Sequence, residues 1–208
     1  MQLKERFSLF CSHYTQDQHL IESLWMEIEK KYSEKGRYYH NSEHLENMFR
    51  ELNNVTAALE DYTAIAFSVF YHDVIYNASS KSNEEKSADF AEKHLQQIDA
   101  EEGFIEKISR QIIATKFHQE SGDADTNYLV DADLSILGQE PEKYLDYTQK
   151  VRKEYSIYPD FLYNPGRKKV LQHFLESESI FKTKYFKEKY EEQARRNITS
   201  EIEYLNFG

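Results

Sequence analysis

The chain has one cysteine, Cys11, among 208 residues, so no internal disulfide can staple its fold. Three prolines and six glycines are too few for a turn-rich β architecture. The longest apolar stretch, around Ala64 to Tyr71, falls far short of the ~18 residues of a membrane span. The N-terminal MQLKERFSLF lacks the charged leader, apolar core and cleavage site of a secretory signal, so the expected compartment is cytoplasmic. Basic charge is also scarce. Lys and Arg number 26 against 37 Asp and Glu, a net charge of −11, which argues against a nucleic acid polymer or an anionic membrane as partner. The deficit is uneven: residues 1 to 140 carry 13 basic against 26 acidic side chains, and residues 141 to 208 carry 13 against 11.

What the sequence does have is aromatic residues (14%) and helical periodicity. Leu3, Phe7 and Phe10, then Leu20, Ile21, Leu24, Trp25 and Ile28, recur at spacings of three and four and predict two helices broken near Thr15 to Asp17. Asn41 or Ser42 caps a helix bearing Leu45, Met48, Phe49 and Leu52. Asp61 caps the next, YTAIAFSVFYHD, which is apolar nearly all round and so belongs at the centre of a fold. Ser82 to Glu85 reads as a capping box starting a helix at Asn83, and the preceding loop, Val74 to Lys81, as a mobile rim. Phe104 to Ile113 marks a further helix ending near Thr115, followed by a polar loop with Gly122, Asp123 and Asp125. A segment from Leu129 to Leu137 follows, with Gly138 as its C-cap, then a helix opened by Pro141. Another begins at Asn164-Pro165, and Phe181 to Leu205 reads as helical throughout. No strand, repeat or linker is evident, and the reading is a single all-α domain over residues 1 to 208.

Several helices carry His or Asp to their apolar ends. His40 and His44 stand four apart, a spacing that returns to one helix face; His72 and Asp73 end the buried helix; Asp131 and Asp133 interrupt YLVDADLSIL. Carboxylates in such surroundings are costly unless paired, and a metal ion is the simplest partner for all of them.

The order H…HD…D resembles the metal-binding signature of the HD-domain superfamily of metal-dependent phosphohydrolases. A closer resemblance, to a bacterial group of predicted HD phosphohydrolases, is carried by RYYHNSEHL, FYHDVIYN, NEEKSA, ATKFH, DADLSILG, VRKEY and ARRNITSEIEYL, spread from Arg37 to Leu205. The resemblance implies an all-α bundle with a central site for one divalent transition metal (Zn, Mn, Fe, Ni or Co), held by His40, His72, Asp73 and Asp133, with Asp131 as the alternative to Asp133. It also implies hydrolysis of a phosphate ester or anhydride in a nucleotide or other small phosphorylated metabolite. Lys116 and His118 are then candidates for charge neutralisation and proton transfer, His44 and Glu84 for orienting a ligand or water, and Arg152, Arg167 and Arg196 for holding substrate phosphate. A non-catalytic metal or nucleotide sensor and a dinuclear oxygenase of the same fold remain as alternatives. The tail aromatics Phe181, Tyr185, Phe186 and Tyr190 pack on the body or form a homodimer contact; the sequence leaves this open.

Overall fold

In the computed structural model, which describes residues 1–207, the chain is all-helical, with no strand among the described residues. It divides into two compact units, residues 1 to 130 and residues 131 onward. Each is described in turn.

The first unit contains α1 (Leu3–Cys11), α2 (Gln18–Tyr32), α3 (Ser42–Asn53), α4 (Tyr62–Tyr71), α5 (Asn83–Gln97), α6 (Glu102–Ala114) and α7 (Ala124–Leu134), the last running unbroken past the unit boundary. α4 is its axis. Asp61 accepts from the Ala64 N–H at 2.9 Å, as a helix N-cap does, and Ala64 through Tyr71 are all buried. The core around it is aromatic. Phe7 of α1 meets Phe70 edge-on at 5.2 Å between centroids, Phe49 of α3 meets the same ring at 5.0 Å, and Phe104 of α6 meets Phe67 edge-on at 5.9 Å. Each such ring contributes on the order of 1.5–3 kcal/mol by leaving water, and edge-to-face geometry adds about 0.5–1.5 kcal/mol per pair. Polar bonds also cross this core: the Ser68 hydroxyl donates to Gln111 Oε1 at 2.7 Å, and the Tyr71 hydroxyl lies 3.2 Å from His94 Nδ1. Cys11 is buried in it as a packing residue, and burial pushes its thiol up to about 12.

The break between α1 and α2, the Asn41 cap of α3 and the start of α5 all fall where the sequence predicts. Three details differ. Ser82 makes no side-chain cap bond; its own N–H donates to Ser80 Oγ (3.2 Å), and the Glu85 carboxylate is engaged by Lys116. α7 begins at Ala124, five residues ahead of Leu129: Asp123 accepts from the Thr126 N–H (3.1 Å) and hydroxyl (2.5 Å), so a stretch read as polar loop is a capped first turn. The rim before α5 is tied down: Asn77 N–H donates to Asn83 Oδ1 (3.1 Å), and Ile75 N–H donates to Ser87 Oγ (3.0 Å).

The second unit adds a 3-10 turn (Ser135–Gly138), α8 (Pro141–Glu154), α9 (Asp160–Glu176) and α10 (Lys184–Phe207). α9 starts at Asp160 after Pro159, not at Asn164, and carries Pro165 inside it. A proline forfeits one backbone hydrogen bond there without ending the helix. The tail aromatics pack inward: Phe181 and Phe186 are fully buried, 6.2 Å apart between centroids, with Tyr190 at 5.9 Å from Phe181. Gly138 is not a left-handed C-cap, since among the described residues Gly36 is the glycine with positive φ. Its role is close approach: a Cβ there would lie 2.7 Å from the Tyr190 carbonyl oxygen and 2.9 Å from its Cα. Those are backbone atoms of α10 and cannot swing aside. Gly138→Ala is expected to lower stability by about 1–3 kcal/mol, readable as a shift of the denaturant midpoint at unchanged slope.

Candidate metal centre

α3 places His44 one turn into the helix, on the stripe that continues through Met48 and Leu52, and His44 is buried with them. α4 ends at Tyr71 and hands the chain to His72, which is buried, and Asp73, which is half-buried. The His72 ring is oriented by its own helix: Nδ1 lies 2.9 Å from the Val69 carbonyl. A carbonyl only accepts, so Nδ1 carries a proton, and in the neutral ring Nε2 presents a lone pair.

That lone pair faces two other atoms. His72 Nε2 is 3.2 Å from His44 Nε2 and 3.1 Å from Asp73 Oδ2, with His44 Nε2 and Asp73 Oδ2 3.9 Å apart. On α7, Asp133 completes a group with His44 and His72 in which one ligand-capable atom of each lies within 4.8 Å of the others, so the three could hold a metal ion. Atoms bound at about 2.0–2.2 Å to one ion sit about 3–3.5 Å from each other, so the His72 contacts have the spacing of a shared cation. A single proton on Nε2 can serve only one of these neighbours, whereas a cation serves all. Two imidazoles with carboxylates form a donor set suited to Zn, Mn, Fe, Co or Ni.

The chain matches no family model, no curated protein and no solved structure. The resemblance read from the motifs therefore rests on those residues alone.

The remaining candidates fall as follows. His40 precedes the α3 cap; its ring stacks on Tyr76 at 4.2 Å, with its centroid 6.1 Å from that of His44. Asp131 is buried and accepts the Lys182 N–H, the Thr183 N–H and the Thr183 hydroxyl, each at 2.7 Å. Burial pushes its carboxyl up from the ordinary value while those donors pull it back. Of the two aspartates in DAD, then, Asp131 fixes the approach to α10 and Asp133 joins the histidines. Lys116 donates to Glu85 Oε1 (2.5 Å) and to the Lys81 carbonyl (2.7 Å), with Glu84 4.0 Å away. The same ammonium holds the Glu85 carboxyl below its usual range. His118 follows α6 in the left-handed region (φ 49), its N–H bonded to the Ala114 carbonyl, as a helix-ending turn residue.

The three arginines read as phosphate ligands are committed inside the second unit. Arg152 binds Asp160 and the carbonyls of Tyr155 and Tyr158. Arg167 forms a fork on Glu201 at 2.7 and 3.0 Å and donates to the Tyr147 hydroxyl at 3.2 Å. Arg196 pairs with Glu192 and Gln193 on its own helix.

Sequence reasoning underrated two residues. His44 was placed among the orienting groups, although its register with Met48 and Leu52, downstream of an expected cap at Asn41, already marks it as buried. Arg37 received no role at all. Its Nη1 donates to the carbonyls of His40 (3.1 Å) and Asp73 (2.6 Å), and its Nη2 to that of Val74 (2.9 Å).

Proposed function

We propose that His44, His72, Asp73 and Asp133 hold one divalent transition metal ion, and that the protein is a metal-dependent phosphohydrolase acting on a small phosphorylated metabolite or nucleotide. The convergence of His44 Nε2 and Asp73 Oδ2 on the lone pair of His72 Nε2 carries the metal reading. The order of motifs in the sequence carries the hydrolase reading. A divalent ion in such a site lowers the pKa of a water ligand and polarises a phosphoryl oxygen. The chain's own contribution is orientation. The Val69 carbonyl orients the His72 ring, and α3 fixes His44. Lys116 is given no catalytic part, since its ammonium straps the start of α5 to the end of α6.

The test is a panel of nucleotides, phosphomonoesters, phosphodiesters and pyrophosphates, offered to protein supplied in turn with Mn, Zn, Co, Ni and Fe(II). Hydrolysis is expected for at least one compound, read as inorganic phosphate from monoesters and pyrophosphates and as the monoester product from phosphodiesters, and its loss in both His72→Ala and Asp73→Ala. Hydrolysis that persists in both substitutions would not belong to this site. Stoichiometric metal with no turnover across the panel would sink the hydrolase reading and leave a metal-dependent sensor.

A further inference from the structure

We infer that Arg37 is the positioning residue of the metal centre, clamping the two chain segments that deliver its histidines into one register. The inference rests on the metal reading above and goes beyond it by assigning a function to a side chain that is not itself a ligand.

Arg37 lies in the connection between α2 and α3. All three of its bonds go to main-chain carbonyls, so what it fixes is backbone. One carbonyl belongs to His40, immediately before the Asn41 cap that sets where α3 starts and hence where His44 points. The other two belong to Asp73, a ligand, and Val74, at the end of the α4 turn. These partners are 36 and 37 residues away in sequence, so the clamp is tertiary. The guanidinium lies 5.1 Å from the Tyr32 ring centroid and 5.6 Å from that of Tyr76, and Tyr76 is also the ring on which His40 stacks.

The chemistry selects arginine. A planar fork of fixed N–H directions can bridge three carbonyls on two strands of chain while lying against rings; a lysine ammonium is a point donor on a flexible stem and cannot reproduce that span. Misplacing one ligand segment by even a fraction of an ångström degrades a site whose atoms must share one ion, because core packing around α4 prevents the helix from following. An ordinary loop anchor would lower stability without singling out the metal.

The experiment uses the full chain as wild type, Arg37→Lys and Arg37→Met, titrated with Zn or Mn alone in a calorimeter. In parallel, amide hydrogen exchange is followed on metal-free protein. Arg37→Met is expected to weaken ion binding by about 10–100-fold, the range typical of removing an outer support of a metal ligand, with Arg37→Lys recovering little of it. Exchange is expected to quicken over residues 38–44 and 72–76 while amides of α5 and α6 keep their protection. Wild-type affinity in Arg37→Met would overturn the inference, as would a uniform rise in exchange across the first unit. If wild type binds neither ion, the metal reading falls. The positioning role would fall with it, and quickened exchange confined to the two segments would then show an ordinary loop anchor only.

Discussion

His72→Ala is expected to abolish saturable binding of divalent ions, with affinity falling by more than about 100-fold, beyond the loss typical of outer-sphere changes. The physical reason is that His72 Nε2 is close to two of the other ligand atoms at once, 3.2 Å from His44 Nε2 and 3.1 Å from Asp73 Oδ2. Removing it leaves the remaining groups without their common centre. The alanine also strips a buried ring and its bond to Val69, so a second substitution is needed to separate folding from binding. Asp73→Asn preserves shape while withdrawing the negative charge, and it should leave the metal-free melting temperature nearly unchanged yet weaken the ion strongly. Wild type should gain about 2.7 kcal/mol of apparent stability at an ion concentration 100 times its dissociation constant, and neither variant should show that gain. The checks are metal content after exhaustive dialysis and thermal melts with and without added ion. Melting curves of wild type that ignore every ion tried would remove the site.

Arg167→Ala should be the most damaging single substitution in the second unit, costing about 3–5 kcal/mol, the range for orphaning one member of a buried ion pair. The pair is well enclosed: the Arg167 and Glu201 side chains are 10% and 8% exposed, joined by two parallel bonds. Tyr144 adds a short hydrogen bond to Glu201, and Tyr147 accepts from Arg167. Without the guanidinium, Glu201 is left charged among tyrosines. At roughly 2–4 °C per kcal/mol for a chain of this size, the melting temperature should drop by on the order of 10 °C. Glu201→Leu combined with Arg167→Met should recover most of the loss, since an apolar pair of similar volume avoids desolvating either charge. A double variant as unstable as the single one would show that the fork itself is required.

These two predictions mark where the sequence was legible and where it was not. The all-α class, the central burial of α4 and the caps at Asn41 and Asp61 follow from local rules, because a cap and the N–H it binds lie within three residues. The His72-Asp73 doublet was visible for the same reason, standing at the end of an unbroken apolar run. The fork of Arg167 on Glu201 was not legible, because the two lie 34 residues apart and no periodicity links them. Arg37 escaped notice on the same grounds. Gly138 was assigned a familiar helix-ending role, whereas its reason is the backbone of α10 lying against it. The start of α9 was missed because Asn164-Pro165 looks like an opening, whereas the helix begins at Asp160 and runs through it. Long-range partners, more than propensity, separate the expected molecule from the observed one.

α4 has an electrical consequence as well as a packing one. Its peptide dipoles align along the axis, placing partial negative charge at the Tyr71 end, where the last carbonyls have no helical partner. A cation among His44, His72 and Asp73 would sit at that pole, and the Arg37 guanidinium already does. At the opposite pole, the Asp61 carboxylate meets the free N–H groups of the first turn. The helix is thus charged correctly at both ends, and its sealed aromatic surroundings keep water from screening the field between them.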